Sequence, residues 1–529
     1  GVAHAASLNY LKNQELFKKL YPFDFITEAV DQTRGWFYSL LVTSTILFGR
    51  SPYKRVLCQG HVLDKFGQKM SKSRGNVVWA EDSIKVYGAD VLRAYLLWKI
   101  TPEDALLFDP EELRQIRRLL GIIWNVFTFA TTYMTLDNFK PEDWSLEKVW
   151  DHLKSEDRWV LSRCQQVIRK VTENLETFQL HKALREIFDF MVEDVSRFYI
   201  RLIRRRTWIE TKEMEKFAAY TTLYKVLIET LKLLSPFVPH FTEALFRYVS
   251  SEGEPESVHM LNWPTPEEKL VDKNLEKDFE VCRETVKAVL TARQKKGFKL
   301  RWPTRSVTII PVNSEVKNSL LRLKDVLTRQ INTKELVVLD ADTKPSFLHV
   351  DLKPNPSLGS KLKSLTPKVL DSLSRMESKT LTDQILKEGF VKIEVDGKEF
   401  ILTKEDFRIV EKVPENISRE DFVYGSVFVD VTKTQEIVAE AFAKEVVRRA
   451  QLMRKEMQLN IEDYVDASIG CEDPESRKLL KSMEDYVKTE VRIRNLDITS
   501  LDEVKLVEDS YLKEWFVEEE KIKIRLKKV

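Results

Sequence analysis

Cysteine, glycine, net charge and long apolar runs are all scarce in this sequence, and each shortage excludes something. The four cysteines among 529 residues (Cys58, Cys164, Cys282, Cys471) lie far apart with no C-x-x-C pair. That leaves neither a disulfide framework nor a cysteine-based zinc site and points to a reducing compartment. Glycine supplies only 15 residues, so helices should outweigh Gly-rich loops. Apolar stretches such as Ser39–Phe48 are broken by Ser and Thr, short of the ~18 to 20 residues that span a bilayer, and the reading is a soluble, cytoplasmic protein. Lys and Arg total 85 against 83 Asp and Glu, so a nucleic-acid partner would need local basic clusters. The seven histidines show no metal-ligand spacing, and no protein-bound metal is expected. What is present, 43% apolar and 32% charged residues, fits a globular chain of about three or four domains. The opening Gly1-Val2-Ala3-His4, with no Met, reads as a fragment or one part of a larger assembly.

Periodicity divides the chain into three parts. Residues 1–109 mix strand and helix patterns, including a helix from Asp31 to Phe48, a short strand at Val56–Cys58, a hairpin-like turn at Asp64–Gly67 and a helix from Ser83 to Ile100. Residues 110–265 are helical in period almost throughout, which predicts a helical bundle. Residues 266–529 predict a small α/β region. Within it, a helix ending in basic residues (Glu276–Lys299), a strand (Val307–Ile310), a helix (Val316–Arg329) and a strand (Leu336–Leu339) recur as Gln435–Gln458, Val465–Ile469, Glu475–Lys488 and Val491–Ile493. The offset is about 158 residues. A duplicated unit and two chance runs both remain open.

The segment Gly67-Gln68-Lys69-Met70-Ser71-Lys72-Ser73-Arg74-Gly75-Asn76 carries the most chemistry. Two lysines three residues apart, with small hydroxyl residues between and glycines on either side, make a loop able to close over a polyanion. Ammonium groups arriving with such a loop stabilise charge that builds on phosphate oxygens in a transition state. On composition alone a solvated basic turn is the competing reading.

The string Lys69-Met70-Ser71-Lys72-Ser73 matches the K-M-S-K-S signature of class I aminoacyl-tRNA synthetases. Glu28-Ala29-Val30-Asp31-Gln32-Thr33-Arg34-Gly35-Trp36-Phe37 resembles the E-G-x-D-Q-x-R-G-W-F stretch of the isoleucyl-tRNA synthetases. Gly88-Ala89-Asp90-Val91-Leu92-Arg93 resembles the helix after the signature loop, and Arg448–Lys455 a C-terminal helix of the archaeal and eukaryotic branch. The resemblance implies the end of a Rossmann-like α/β catalytic domain (1–109), an all-α helical anticodon-binding domain (110–265) and a C-terminal α/β extension (266–529). By the same resemblance Lys72 binds ATP and Lys69 assists as catalytic lysines, and Met70, Ser71 and Ser73 complete the ATP-binding loop. Glu28, Asp31 and Gln32 then lie against the aminoacyl-adenylate, with Glu28 in direct contact; helix capping is the alternative for Glu28 and Asp31. Ala29 replaces the family's Gly, which puts the fit there in question. Trp36 and Phe37 read as core or pocket wall, and His61 either lines the site or ends a strand.

In the helical part, Arg197, Arg201, Arg204, Arg205 and Arg206 fall within ten residues. Helical spacing puts the first four on one face, with Phe198, Tyr199 and Trp208 interleaved. Such a stripe suits RNA phosphates and base stacking; pairing with acids of a neighbouring helix is the alternative. A second, weaker basic candidate is Arg293-Gln294-Lys295-Lys296 with Lys299-Leu300-Arg301-Trp302. No H-x-G-H occurs among the histidines, so the resemblance assigns that signature, and the editing domain needed because binding alone cannot reject a smaller amino acid, to a segment upstream of Gly1. The function implied is that of an isoleucine-tRNA ligase part, monomeric, using ATP with Mg²⁺, isoleucine and tRNA(Ile), and completed by an N-terminal half. A non-catalytic tRNA-binding descendant and a valine enzyme are the alternatives.

Overall fold

The computed structural model describes residues 3–208, 213–250, 253–376, 380–381, 384–385, 388–395, 398–517 and 519–529. The chain divides into two compact units, Gly1–Glu276 and Lys277–Val529. The α/β segment and the helical segment expected as separate parts thus lie together in the first unit. Side-chain to backbone bonds explain why. Arg93 donates to the carbonyls of Pro236 and Phe237, and Arg185 donates to those of Trp98 and Lys99.

In the first unit, β1 (Ile26–Ala29) leads through a 3-10 turn to α1 (Trp36–Phe48) and returns as β2 (Val56–Gln59). The two strands pair in parallel from Ile26↔Val56 to Ala29↔Gln59, and Ile26, Phe37 and Leu40 form the small core beneath them. Next come β3 (Val62–Leu63), α2 (Ala80–Tyr87), α3 (Ala89–Trp98) and β4 (Leu106–Leu107), with β3 and β4 also parallel. Gly60 is required between β2 and β3. A Cβ there would overlap the backbone carbonyl of Asp104, while its N–H bonds the Pro102 carbonyl at 2.8 Å.

The bundle comprises α4 (Leu113–Leu136), α5 (Ser155–Glu176), α6 (Leu180–Asp189), α7 (Ile200–Trp208), α8 (Met214–Leu234) and α9 (Pro239–Val249). Between α6 and α7 the chain runs as a π-helix over Phe190–Tyr199, a wider turn that α-helical spacing does not anticipate. Helix α4, with the short turn before it, is long and apolar enough to cross a membrane by length and composition, contrary to the expectation that nothing in the sequence qualifies. Its buried positions Leu113, Ile116, Leu120, Ile123, Phe127 and Ala130 recur at three- and four-residue spacing. That is the stripe of a helix facing a protein core.

The second unit runs through one order of elements twice. The first copy takes in the end of α10 (Lys273–Lys295), then β5 (Thr304–Pro311), α11 (Ser314–Arg322), α12 (Lys324–Ile331) and β6 (Thr333–Val338). An insertion follows with β7 (His349–Pro354), α13 (Thr366–Arg375), β8 (Phe390–Val395), β9 (Lys398–Thr403) and β10 (Phe407–Lys412). The copy closes with the hairpin β11 (Ile417–Phe422) and β12 (Gly425–Asp430). The second copy is α14 (Gln435–Glu456), β13 (Val465–Cys471), α15 (Pro474–Lys481), α16 (Glu484–Val491), β14 (Ile493–Ser500), β15 (Ser510–Val517) and β16 (Glu520–Lys528).

The sheet orders are equivalent, β11-β12-β5-β6 and β15-β16-β13-β14, with the third and fourth strands of each series paired in parallel. Small features repeat as well. Asn313 and Asp473 cap the first short helix, 160 positions apart. Asn332 and Arg492 take the left-handed conformation before the next strand, at φ 52° and 58°. Arg293 and Arg454, 161 positions apart, are buried at the ends of the long helices. Arg293 donates to the carbonyls of Ile331, Lys299 and Trp302, and Arg454 to those of Val491, Asn460 and Ile461. The offset is therefore 160–161, not 158.

These contacts take Arg293 and Trp302 out of the second basic candidate and pair two of its exposed cations. Arg293 and Trp302 are buried, Lys295 pairs with Glu420, and Arg301 pairs with Glu445.

On α10, Asp278 receives two bonds of 2.6 Å from Arg322. Burial alone would raise its pKa, but the bonds from Arg322 and Ser319 outweigh burial and hold it below the usual aspartate value. A carboxyl depressed in the folded state stabilises above its unfolded pKa, and that contribution is lost as pH falls through the folded value. Urea unfolding of the second unit should therefore show a loss of stability below about pH 4 that is shallower in Arg322→Met. Parallel acid profiles for the two proteins would exclude this pair as the cause.

Candidate functional site

Parallel strands β1 and β2 end on the same side, at Ala29 and Gln59. In α/β sheets the carboxyl ends of parallel strands are where ligands bind. Glu28, near the end of β1, is exposed and has no hydrogen-bond partner among the described residues. Asp31 and Gln32 lie in the 3-10 turn that follows. The capping role falls to Gln32, whose Oε1 accepts the Trp36 N–H at 2.9 Å. Its Nε2 donates to Asp31 at 3.0 Å, so Asp31 orients the cap and does not cap directly. Phe37 is core, as read from the sequence, whereas Trp36 is 39% exposed. Exposed His61 lends its carbonyl to the Leu106 N–H.

The lysine loop leaves β3 and is braced at its base by two residues whose part the sequence reading missed. Asp64 Oδ1 accepts the N–H groups of Phe66 and Gln68 at 3.0 and 2.8 Å. Its Oδ2 accepts from Asn76 Nδ2 at 2.8 Å, while Asn76 Oδ1 accepts the Ser71 N–H at 3.0 Å. The Asn76 bond, then that of Gln68, holds the half-buried Asp64 carboxyl below the usual aspartate range. Gly67 and Gly75 turn the chain at φ 79° and 68°, conformations that favour glycine.

Between these anchors Lys69 and Lys72 are exposed, Met70 and Ser71 half-buried, and the Ser71 and Ser73 hydroxyls lie 3.3 Å apart. Lys72 Nζ sits 5.2 Å from the ring centre of Trp79, an exposed cation–π contact that costs little to break. The available signal for the brace was the Asp-x-x-Gly before the loop and the Gly-Asn after it.

The arginine cluster separates into two sets. Arg197, Arg201, Arg204 and Arg205 are exposed, Arg197 paired with Glu193. Arg206 is not available to RNA. It donates to both oxygens of Asp157 at 2.9 and 2.7 Å, lies 3.5 Å from Glu156, and shares Asp157 with the Tyr199 hydroxyl. Desolvation opposes its charge, yet Asp157 outweighs that and raises its pKa. Phe198 and Tyr199 are buried, so neither is a stacking platform. Among the described residues no group of three or more His, Cys, Asp or Glu is arranged to hold a metal.

Residues 1–107 match the tRNA synthetases of class I (I, L, M and V), and residues 157–309 the anticodon-binding domain of tRNA ligase. The chain belongs to the class I aminoacyl-tRNA synthetases. Within that class its likeness is to the isoleucine–tRNA ligases. It is 43% identical over 533 residues to that of Methanothermobacter marburgensis, covering 100% of this chain and 50% of the relative. Against that of Pyrococcus horikoshii it is 41% identical over 497 residues, covering 93% and 45%. The chain spans about half the length of the curated relatives it matches.

Proposed function

We propose that this chain is part of an isoleucine-tRNA ligase that activates isoleucine with ATP and Mg²⁺ and transfers it to tRNA(Ile). The observation that carries this reading is the exposed lysine pair held on a braced loop that leaves the carboxyl end of β3. When pyrophosphate leaves the α-phosphate, Lys72 swings from Trp79 to the phosphates and Lys69 follows, neutralising charge where it develops. Met70, Ser71 and Ser73 shape the loop around the nucleotide. Glu28 takes the substrate ammonium or ribose hydroxyls of the adenylate, with Asp31 and Gln32 setting the floor beside it. Arg197, Arg201, Arg204 and Arg205 meet tRNA phosphates. The H-I-G-H histidines and the editing site come from an N-terminal half, whether the same polypeptide or a partner, and the enzyme acts in the cytoplasm.

The test mixes the chain with a separately made N-terminal half and measures isoleucine-dependent pyrophosphate exchange. Lys72→Ala should lower exchange about 100-fold while leaving tRNA affinity nearly unchanged. Equal losses in both would remove Lys72 from the chemistry. Absence of any exchange, with tRNA still bound, would favour a non-catalytic tRNA-binding protein.

A further inference from the structure

The two lysines of the loop are held in different ways. After β3 the chain turns through residues 64–68, and Lys69 comes back to pair with Leu63 in an antiparallel bridge. The Asp64 N–H closes that turn on the Gln68 carbonyl at 2.9 Å. Lys69 is thereby tied to the strand. Lys72 lies beyond the bridge, at the start of the 3-10 turn Lys72–Arg74. Inside that turn the Arg74 N–H bonds the Ser71 carbonyl and the Gly75 N–H the Lys72 carbonyl, both at 3.2 Å.

The Asn76 side chain joins the turn to the tied part. Its Oδ1 accepts the N–H of Ser71, the residue just before Lys72, at 3.0 Å. Its Nδ2 donates to Asp64 Oδ2 at 2.8 Å and to the Lys69 carbonyl at 3.4 Å. An N–H on one side and two oxygens on the other fix which way the amide faces. A carboxylate cannot make that set, having no proton to give, and one hydroxyl cannot span both sides. Asp64 is as specific from its own side. Its Oδ1 is taken by the Phe66 and Gln68 N–H groups, which leaves Oδ2 for the amide. Residues 71–76 therefore form one hydrogen-bonded piece, clasped at its two ends by Asn76.

We propose that Asn76, oriented by Asp64, is a positioning residue for the reaction at the nucleotide: it aims Lys72 by holding the residue before it. The ammonium then reaches the phosphates without a further search through loop conformations. The proposal rests on the reading of this loop as the one that meets ATP. A group aimed in advance at charge that develops only in the transition state lowers the barrier and leaves substrate affinity nearly as it was.

Pyrophosphate exchange by the chain joined with its N-terminal half tests this, with kcat and KM for ATP measured separately. Asn76→Asp sets carboxylate against carboxylate, and Asp64→Asn sets one amide NH₂ against another. Each should lower kcat about tenfold, the worth of one charged hydrogen bond, while KM for ATP stays within about twofold. Asp64→Asn/Asn76→Asp exchanges donor for acceptor, keeps the Phe66, Gln68 and Ser71 bonds, and should return kcat to within about threefold of wild type. In Lys72→Ala there is nothing left to aim, so adding Asn76→Asp should cost less than about twofold. A structural role alone would give the full loss there as well. Wild-type kcat in either single variant, a loss carried by KM, no recovery in the exchanged pair, or an undiminished loss in Lys72→Ala would overturn the proposal. Wild-type protein with no exchange at all would instead overturn the reading of the chain, and this proposal with it.

Discussion

Arg206→Ala should destabilise the first unit by about 3–5 kcal/mol, the cost of stripping the cation from a buried carboxylate cluster. Asp157 is fully buried and Glu156 nearly so, and the Arg206 guanidinium is the cation that faces both. Without it the Tyr199 hydroxyl and the Lys154 N–H remain as donors to Asp157, two hydrogen bonds where four had been. Arg206→Lys should recover little, since an ammonium cannot span both Asp157 oxygens. Exposed Arg201→Ala is the control, expected within about 0.5 kcal/mol of wild type. Urea unfolding followed by far-UV circular dichroism measures all three. A loss below about 1 kcal/mol in Arg206→Ala would mean that the acids find protons or water readily, and that the cluster is not what locks α5 to α7.

The second large effect is expected in the second unit. Arg293 has no carboxylate partner among the described residues; burial pulls its pKa down to about 10, which still leaves it charged at neutral pH. Three backbone carbonyls and the face of Phe298 solvate the guanidinium. Arg293→Met fills the same space but strands those carbonyls, for an expected loss of about 2–6 kcal/mol at roughly 1–3 kcal/mol for each of the two buried acceptors, Ile331 and Trp302. Arg454→Met strands the equivalent set in the other copy. Amide hydrogen exchange separates the two. Arg293→Met should speed exchange along β5 and β6 and spare β13 and β14, and Arg454→Met should do the reverse. Uniform acceleration in both variants would mean that the copies unfold as one body.

The loop chemistry and the helical parts were legible in the sequence because their signals are local. A five-residue signature sits in a short turn, and three- to four-residue periodicity follows from helix geometry. Arg206 was misread for the opposite reason. Helical spacing sets it off the face of the other four, but its partners Glu156 and Asp157 lie some fifty positions upstream and a π-helical stretch intervenes, so spacing could not say that its side meets buried acids. The basic run at Arg293 failed the same way, since a helix-terminal arginine looks identical whether it reaches water or turns inward to carbonyls. The recurring element order was visible, but the register of the two runs became clear only through the two arginines and the two left-handed residues. The Asp64–Asn76 brace escaped because its members are twelve positions apart and individually ordinary.

The recurring order has a further consequence for how this chain can change. Getting from β14 to β15 takes nine residues, whereas the matching passage from β6 to β11 takes 78. Since β6 and β11 are both outermost strands, that long excursion departs from one rim and comes back at the other without interrupting a single ladder. It also brings its own apolar nucleus, including Leu352, Val369, Ile393 and Phe407. Evolution can therefore enlarge, trim or exchange this passenger while the sheet that carries it stays as it is.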